Sequence, residues 1–151
     1  MINIKQILLL LVSFCLFTVT TACKRTYDYS FAQSIDAVEK VEICTYDYDT
    51  KSTTLIATLN EEDGKSLLAE IAMLSCKRHF GDATRDYGEI IIYVHYQDGT
   101  AEVIGLCNVA QVDTSGKWHI GIEYFDAQQL CILIMKYVDN GQLPDLCQYF
   151  D

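Results

Sequence analysis

Residues 87–106 read YGEIIIYVHYQDGTAEVIGL, and the fold turns on this stretch. Two runs rich in β-branched and aromatic residues flank Asp98-Gly99, a dipeptide suited to the positive φ angles of a type I′ hairpin turn. Alternation puts Ile90, Ile92 and Val94 on one face of the first run, joined by Ile104 and Leu106 from the second. A lone two-stranded hairpin is not stable in water, so neighbouring segments must widen the sheet and cover that face.

Upstream, residues 37–47 alternate as a strand, with Val41 and Ile43 on one side and Cys44, Tyr46 and Tyr48 on the other. A turn at 49–52 leads to a second strand, Thr53 to Leu59, whose Leu55, Ala57 and Leu59 are expected to share a face. Asn60 is a good N-cap, and Glu61, Glu62 and Asp63 complement the helix dipole. Leu67, Leu68, Ile71 and Leu74 follow at helical spacing, with Gly64 weakening the first turn. Residues 77–86 read as a polar loop.

Downstream, a short strand at Val109 to Asp113 and a turn at 114–117 lead to a strand from Trp118 to Tyr124, with Ile120 and Ile122 expected in the core. Asp126 and Gln129 form a capping-box pattern. Ala127, Leu130, Cys131, Ile134, Tyr137 and Val138 make an amphipathic stripe that Asn140-Gly141 stops. The tail from Gln142 is expected to pack back as a short helix begun at Pro144. Hairpin-linked strands with intervening helices predict an α+β fold: a two-layer sandwich with an antiparallel sheet and two helices on one face.

The N-terminus carries the most specific signal. Lys5 is followed by an almost unbroken apolar run from Ile7 to Val19 and then by Thr20-Thr21-Ala22-Cys23. That run is shorter than the ~20 residues of a spanning helix and reads as an export leader. A small residue before a cysteine resembles the lipobox of bacterial lipoproteins, although Thr20 stands where the motif usually has an aliphatic residue. The expected organisation is a leader over 1–22, lipidation at Cys23, a tether over 23–35 and one domain over 36–151. The location expected is the extracytoplasmic face of the cell membrane, with plain secretion as the alternative. Loss of the leader removes only Lys5 from the 11 basic and 21 acidic residues, taking the net charge from −10 to −11. Such a field repels nucleic acid, so no nucleic-acid partner is expected.

Cys44, Cys76, Cys107, Cys131 and Cys147 follow the anchor with no zinc-type spacing. They read as small buried apolar side chains, with one or more disulfides as the alternative that export encourages. Alternation places Tyr46, Tyr48, Tyr93, His95, His119 and Glu123 on the sheet face away from the helices. Tyrosine is enriched at interfaces, which makes this face the candidate binding surface; the plainer alternative is cross-strand packing. His119 and Glu123, four residues apart along one strand, span about 13 Å and cannot share one ion, so no metal site is expected. The serine-elbow, zinc-helix, P-loop and dinucleotide patterns are absent, and neither a catalytic residue nor a cofactor is expected. A cysteine and a histidine gathered in one cleft would favour an enzyme; a flat aromatic sheet face without a pocket would favour binding.

With its leader ending at Cys23, YSFAQSIDAVEKVEI, TLNEEDGKSLLAEI, the central hairpin and GKWHIGIEYF before a last helix, the chain resembles small uncharacterised lipoproteins of Gram-positive bacteria of the Firmicutes type. The resemblance implies an extracytoplasmic α+β domain and supplies no catalytic residue. The expectation is a lipid-anchored binding module for an extracytoplasmic protein or small ligand. The alternatives are an enzyme or metal-binding protein using its cysteines and histidines, or an accessory subunit of a membrane-surface complex.

Overall fold

The hairpin around Asp98-Gly99 lies in the middle of a six-stranded antiparallel sheet in the computed structural model, which describes residues 26–47, 49–50, 52–78 and 89–143. In chain order the elements are β1 (Tyr27–Asp28), β2 (Val38–Asp47), β3 (Ser52–Leu59), α1 (Glu61–Ala72), β4 (Ser75–Arg78), β5 (Ile90–Tyr96), β6 (Ala101–Gly105), β7 (Val109–Val112), β8 (Trp118–Ile120), β9 (Glu123–Tyr124) and α2 (Ala127–Ile134). The larger sheet runs β3-β2-β5-β6-β7-β8, and a smaller one runs β1-β4-β9. Both helices pack on one face of the larger sheet, which gives the expected α+β sandwich. Its core joins Val41, Ile43, Ile92, Val94 and Ile104 to Leu67, Leu68, Ile71, Leu130 and Ile134.

Local chemistry explains the helix starts. The Asn60 side chain accepts from the Asp63 amide at 2.9 Å, and that of Asp126 accepts from the Gln129 amide at 3.2 Å. Gly64 does more than soften a turn. A Cβ there would sit 3.0 Å from Val41 Cγ2, so the glycine lets α1 approach the sheet closely.

Several expectations are corrected. The central turn spans three residues, Gln97 to Gly99, rather than two: the Gly99 amide donates to the Tyr96 carbonyl at 3.0 Å and only then does Gly99 (φ 82°) reverse the chain. In β3 the register slips between the pairs Ile43–Ala57 and Cys44–Leu55, so one extra residue, Ile56, is accommodated. Leu55 therefore leaves the core face and is 54% exposed, while Ile56 packs against the main core. The strand expected from Trp118 to Tyr124 breaks at Gly121-Ile122, and β9 joins the smaller sheet, which leaves Ile122 exposed. Finally, most of the expected tether is docked: β1 pairs with β4, and Tyr27, Tyr29, Phe31 and Ile35 pack on the core.

Cys44 and Cys76 are buried free thiols, as small core side chains would be, but Cys107 is exposed, against the expectation of burial. Cys131, fully buried on α2, instead forms a disulfide whose partner lies outside the described residues. Cys23, Tyr48, residues 79–86 of the expected polar loop and the expected tail helix at Pro144 also lie outside them.

Candidate functional site

The break at Gly121 creates the site. The Gly121 amide donates to the Val109 carbonyl at 2.8 Å, and a Cβ on residue 121 would lie 3.0 Å from that same oxygen. With this close approach the chain leaves the edge of the larger sheet and enters the smaller one. A cleft of about 400 Å³ lies between the β7–β8 edge and the β1-β4-β9 sheet. Asp28, Ser30, Arg78, Gln111, His119 and Glu123 supply its polar lining.

Charge in the cleft is organised around Arg78. Its Nε donates to Glu123 Oε1 at 3.1 Å, and its guanidinium lies 4.2 Å from the centre of the Tyr27 ring. The second Glu123 oxygen accepts from the Ile122 amide at 3.2 Å, so the carboxylate straddles the strand break. His119 Nε2 lies 3.0 Å from Asp113 Oδ2. Contacts from Ser115, His119 and Lys117 hold the Asp113 carboxyl far below the usual carboxylate range. Cys76 also lines the cleft, at 1% exposure. Burial first, then the charge of Glu123, pushes its thiol pKa up, and the thiol donates to the Tyr27 carbonyl at 3.2 Å. A protonated, hydrogen-bonded thiol is a poor nucleophile at neutral pH.

The expected aromatic face divides. Tyr46 and Tyr93 lie on the face away from the helices, against Ile91, Val103 and Ala110. His95 stacks with Tyr93 at 6.1 Å and lies 2.8 Å from Glu42 Oε2. The Glu42 carboxyl is held below its usual range, by Lys40 foremost and then by His95. His119 and Glu123 do not join them. Because Val112 pairs with Trp118 across the β7–β8 turn, Trp118 takes the aromatic face and meets the Tyr93 ring edge-on at 6.2 Å. His119 then points to the opposite side and lines the cleft, where Glu123 arrives by way of β9.

Glu102 is the polar residue that the sequence reading passed over. It is fully buried, and it accepts from the Tyr29 hydroxyl, the Tyr96 hydroxyl at 2.7 Å and the Ala32 amide at 3.1 Å. Burial, with the Glu102 charge as the next cause, raises the pKa of both tyrosines. Residues 29–32 thereby form a strap clamped to β6, and the start of that strap, Tyr29 and Ser30, is also a wall of the cleft. The available signal was parity, since Glu102 alternates with Ile104 on the core face. Asp28 and Arg78 could not have been found by parity, because both sit on short strands that only tertiary pairing creates.

Among the described residues no helix is long and apolar enough to cross a membrane, and no three His, Cys, Asp or Glu side chains gather as a ligand set. No family model, no curated protein and no solved structure matches the chain.

Proposed function

We propose that this chain is an extracytoplasmic binding module, held to a membrane by a lipid on Cys23, which takes a small polar ligand in the cleft between its two sheets. The cleft is the observation that carries the reading: it has the volume of a small-molecule site, and its polar groups converge from five strands and the strap. The leader pattern supports export, as does the disulfide at Cys131, because such bonds persist in oxidising compartments. Both accord with the resemblance to small Gram-positive lipoproteins.

A cysteine-based enzyme has one observation in its favour, the presence of Cys76 and His119 in the same cleft. Against it stand the raised thiol pKa and the commitments of both side chains, to Tyr27 and to Asp113. Two measurements test the proposal. Cys23→Ala should release the protein from membranes or stall its processing, and unchanged retention with normal leader removal would reject the anchor. An NMR titration with a panel of small amines, phosphates and zwitterions should shift resonances of Asp28, Arg78 and His119. Shifts confined to Tyr93, His95 and Trp118 would move the binding function to the aromatic face, where a partner subunit is the better occupant.

A further inference from the structure

Two strand registers aim one set of polar side chains into the cleft. In the smaller sheet Tyr27 pairs with Cys76 and Arg78 pairs with Glu123, so these four share the face that carries Cys76 into the core. In the larger sheet Gln111 pairs with both Glu102 and His119, and the buried Glu102 marks that row as the inner one. Arg78 and Glu123 therefore line one wall of the cleft, and Gln111 and His119 line the other.

Most of their hydrogen-bonding capacity is unused. Arg78 commits its Nε to Glu123, and its two terminal nitrogens make no hydrogen bond among the described residues. Each Glu123 oxygen accepts one bond, from Arg78 Nε at 3.1 Å or from the Ile122 amide at 3.2 Å, and keeps a second lone pair. The Gln111 side chain makes no hydrogen bond among the described residues, and His119 engages Asp113 through Nε2 alone.

Charge and shape choose among ligands. The Arg78 and Glu123 charges offset one another, so a charged ligand gains little from either. An anion also meets a chain of net charge −10, and a cation meets the guanidinium. A neutral ligand escapes both penalties if it accepts from Arg78 and donates to Glu123 side by side. One hydroxyl does both at a single oxygen, and hydroxyls on adjacent carbons reach neighbouring guanidinium N–H groups. A trans amide holds its N–H and C=O on opposite sides and cannot. A nucleobase wants an aromatic face to stack on, and Arg78 lies over the Tyr27 ring at 4.2 Å.

We infer that the cleft takes a neutral polyhydroxylated ligand, a sugar whose adjacent hydroxyls are held by Arg78 and Glu123 and whose further hydroxyls meet Gln111 and His119. The inference rests on the cleft-binding reading above and is independent of the lipid anchor. The test is an NMR titration of the folded chain with glucose, galactose, mannose, maltose and lactose, beside acetate, inorganic phosphate and methylammonium. At least one sugar should saturably shift the side-chain resonances of Arg78, Gln111 and His119 and bind at least fivefold more tightly than any of the three ions. Its per-O-methylated form, which cannot donate to Glu123, should lose that binding. Glu123→Gln and Gln111→Leu should each weaken it at least fivefold. Gln111 is exposed and outside the ion pair, so its variant decides the matter should Glu123→Gln lower the melting temperature.

Ions that bind the cleft as tightly as every sugar overturn the inference and leave the cleft-binding reading standing. Undiminished binding of the per-O-methylated sugar, or undiminished sugar binding by folded Gln111→Leu, also overturns it. Sugar shifts confined to Tyr93, His95 and Trp118 overturn it and favour the aromatic face. No saturable shift at the cleft from any of the eight compounds rejects the cleft-binding reading and the inference together.

Discussion

At Glu102 a carboxylate occupies a position where strand alternation calls for an aliphatic side chain, in step with Ile104. It is tolerated because two tyrosine hydroxyls and a backbone amide replace the water it loses. Removing one donor is therefore costly: Tyr29→Phe should destabilise by about 1–3 kcal/mol at neutral pH, read from denaturant melts. The same cluster sets an alkaline limit. Tyr29 and Tyr96 have folded-state pKa values raised above that of an unfolded tyrosine, so their contribution is complete below about pH 10 and declines as pH rises further. Stability should fall above pH 10 by up to about 1.4 kcal/mol per pH unit for each tyrosine, and Tyr29→Phe should flatten that slope. An unchanged slope in the variant would assign the alkaline limit to other groups.

Among the elements, those governed by local chemistry were legible in the sequence and those governed by a neighbour were not. Asn60 and Asp126 announce the two helices because a cap needs only its own first turn. The parity of Tyr93 and His95 follows from the isoleucines that alternate with them. The extra residue in β3 and the exit at Gly121 depend on strands 14 and 12 residues away, to which Ile43 and Val109 belong, and no local periodicity encodes them. A melting series checks the resulting register. Ile92→Ala and Ile134→Ala, both fully buried, should each cost about 2–5 kcal/mol, whereas Leu55→Ala on the exposed side of the slip should cost well under 1 kcal/mol. The aromatic face has its own test. If Tyr93 is chiefly packing for His95 and Trp118, Tyr93→Ala lowers the melting temperature and leaves ligand uptake in the cleft intact. A variant that melts normally yet no longer captures a partner would return that face to a functional role.

For the whole molecule, the proposed anchor and the disulfide constrain one another. Cysteines outside the described residues are Cys15, Cys23 and Cys147, and one of them pairs with Cys131. On the proposed reading, leader removal would discard Cys15 and lipidation would consume the Cys23 thiol, leaving only Cys147 to pair with Cys131. Peptide mapping of the membrane-extracted protein under non-reducing conditions should recover the peptides of Cys131 and Cys147 joined. A Cys23–Cys131 link would be incompatible with the lipid anchor.

The clamp of the strap onto β6 also orders events in time. Tyr29 meets Glu102 across 73 positions and Tyr27 meets Cys76 across 49, so the first residues of the domain to be made are bound by partners that arrive much later. Contacts of such long sequence separation form slowly, because a large loop must close before they repay its entropy. The nascent domain therefore spends its early life with its N-terminal wall unbuilt, and the cleft comes into being last, when the rest of the fold is already in place to receive it.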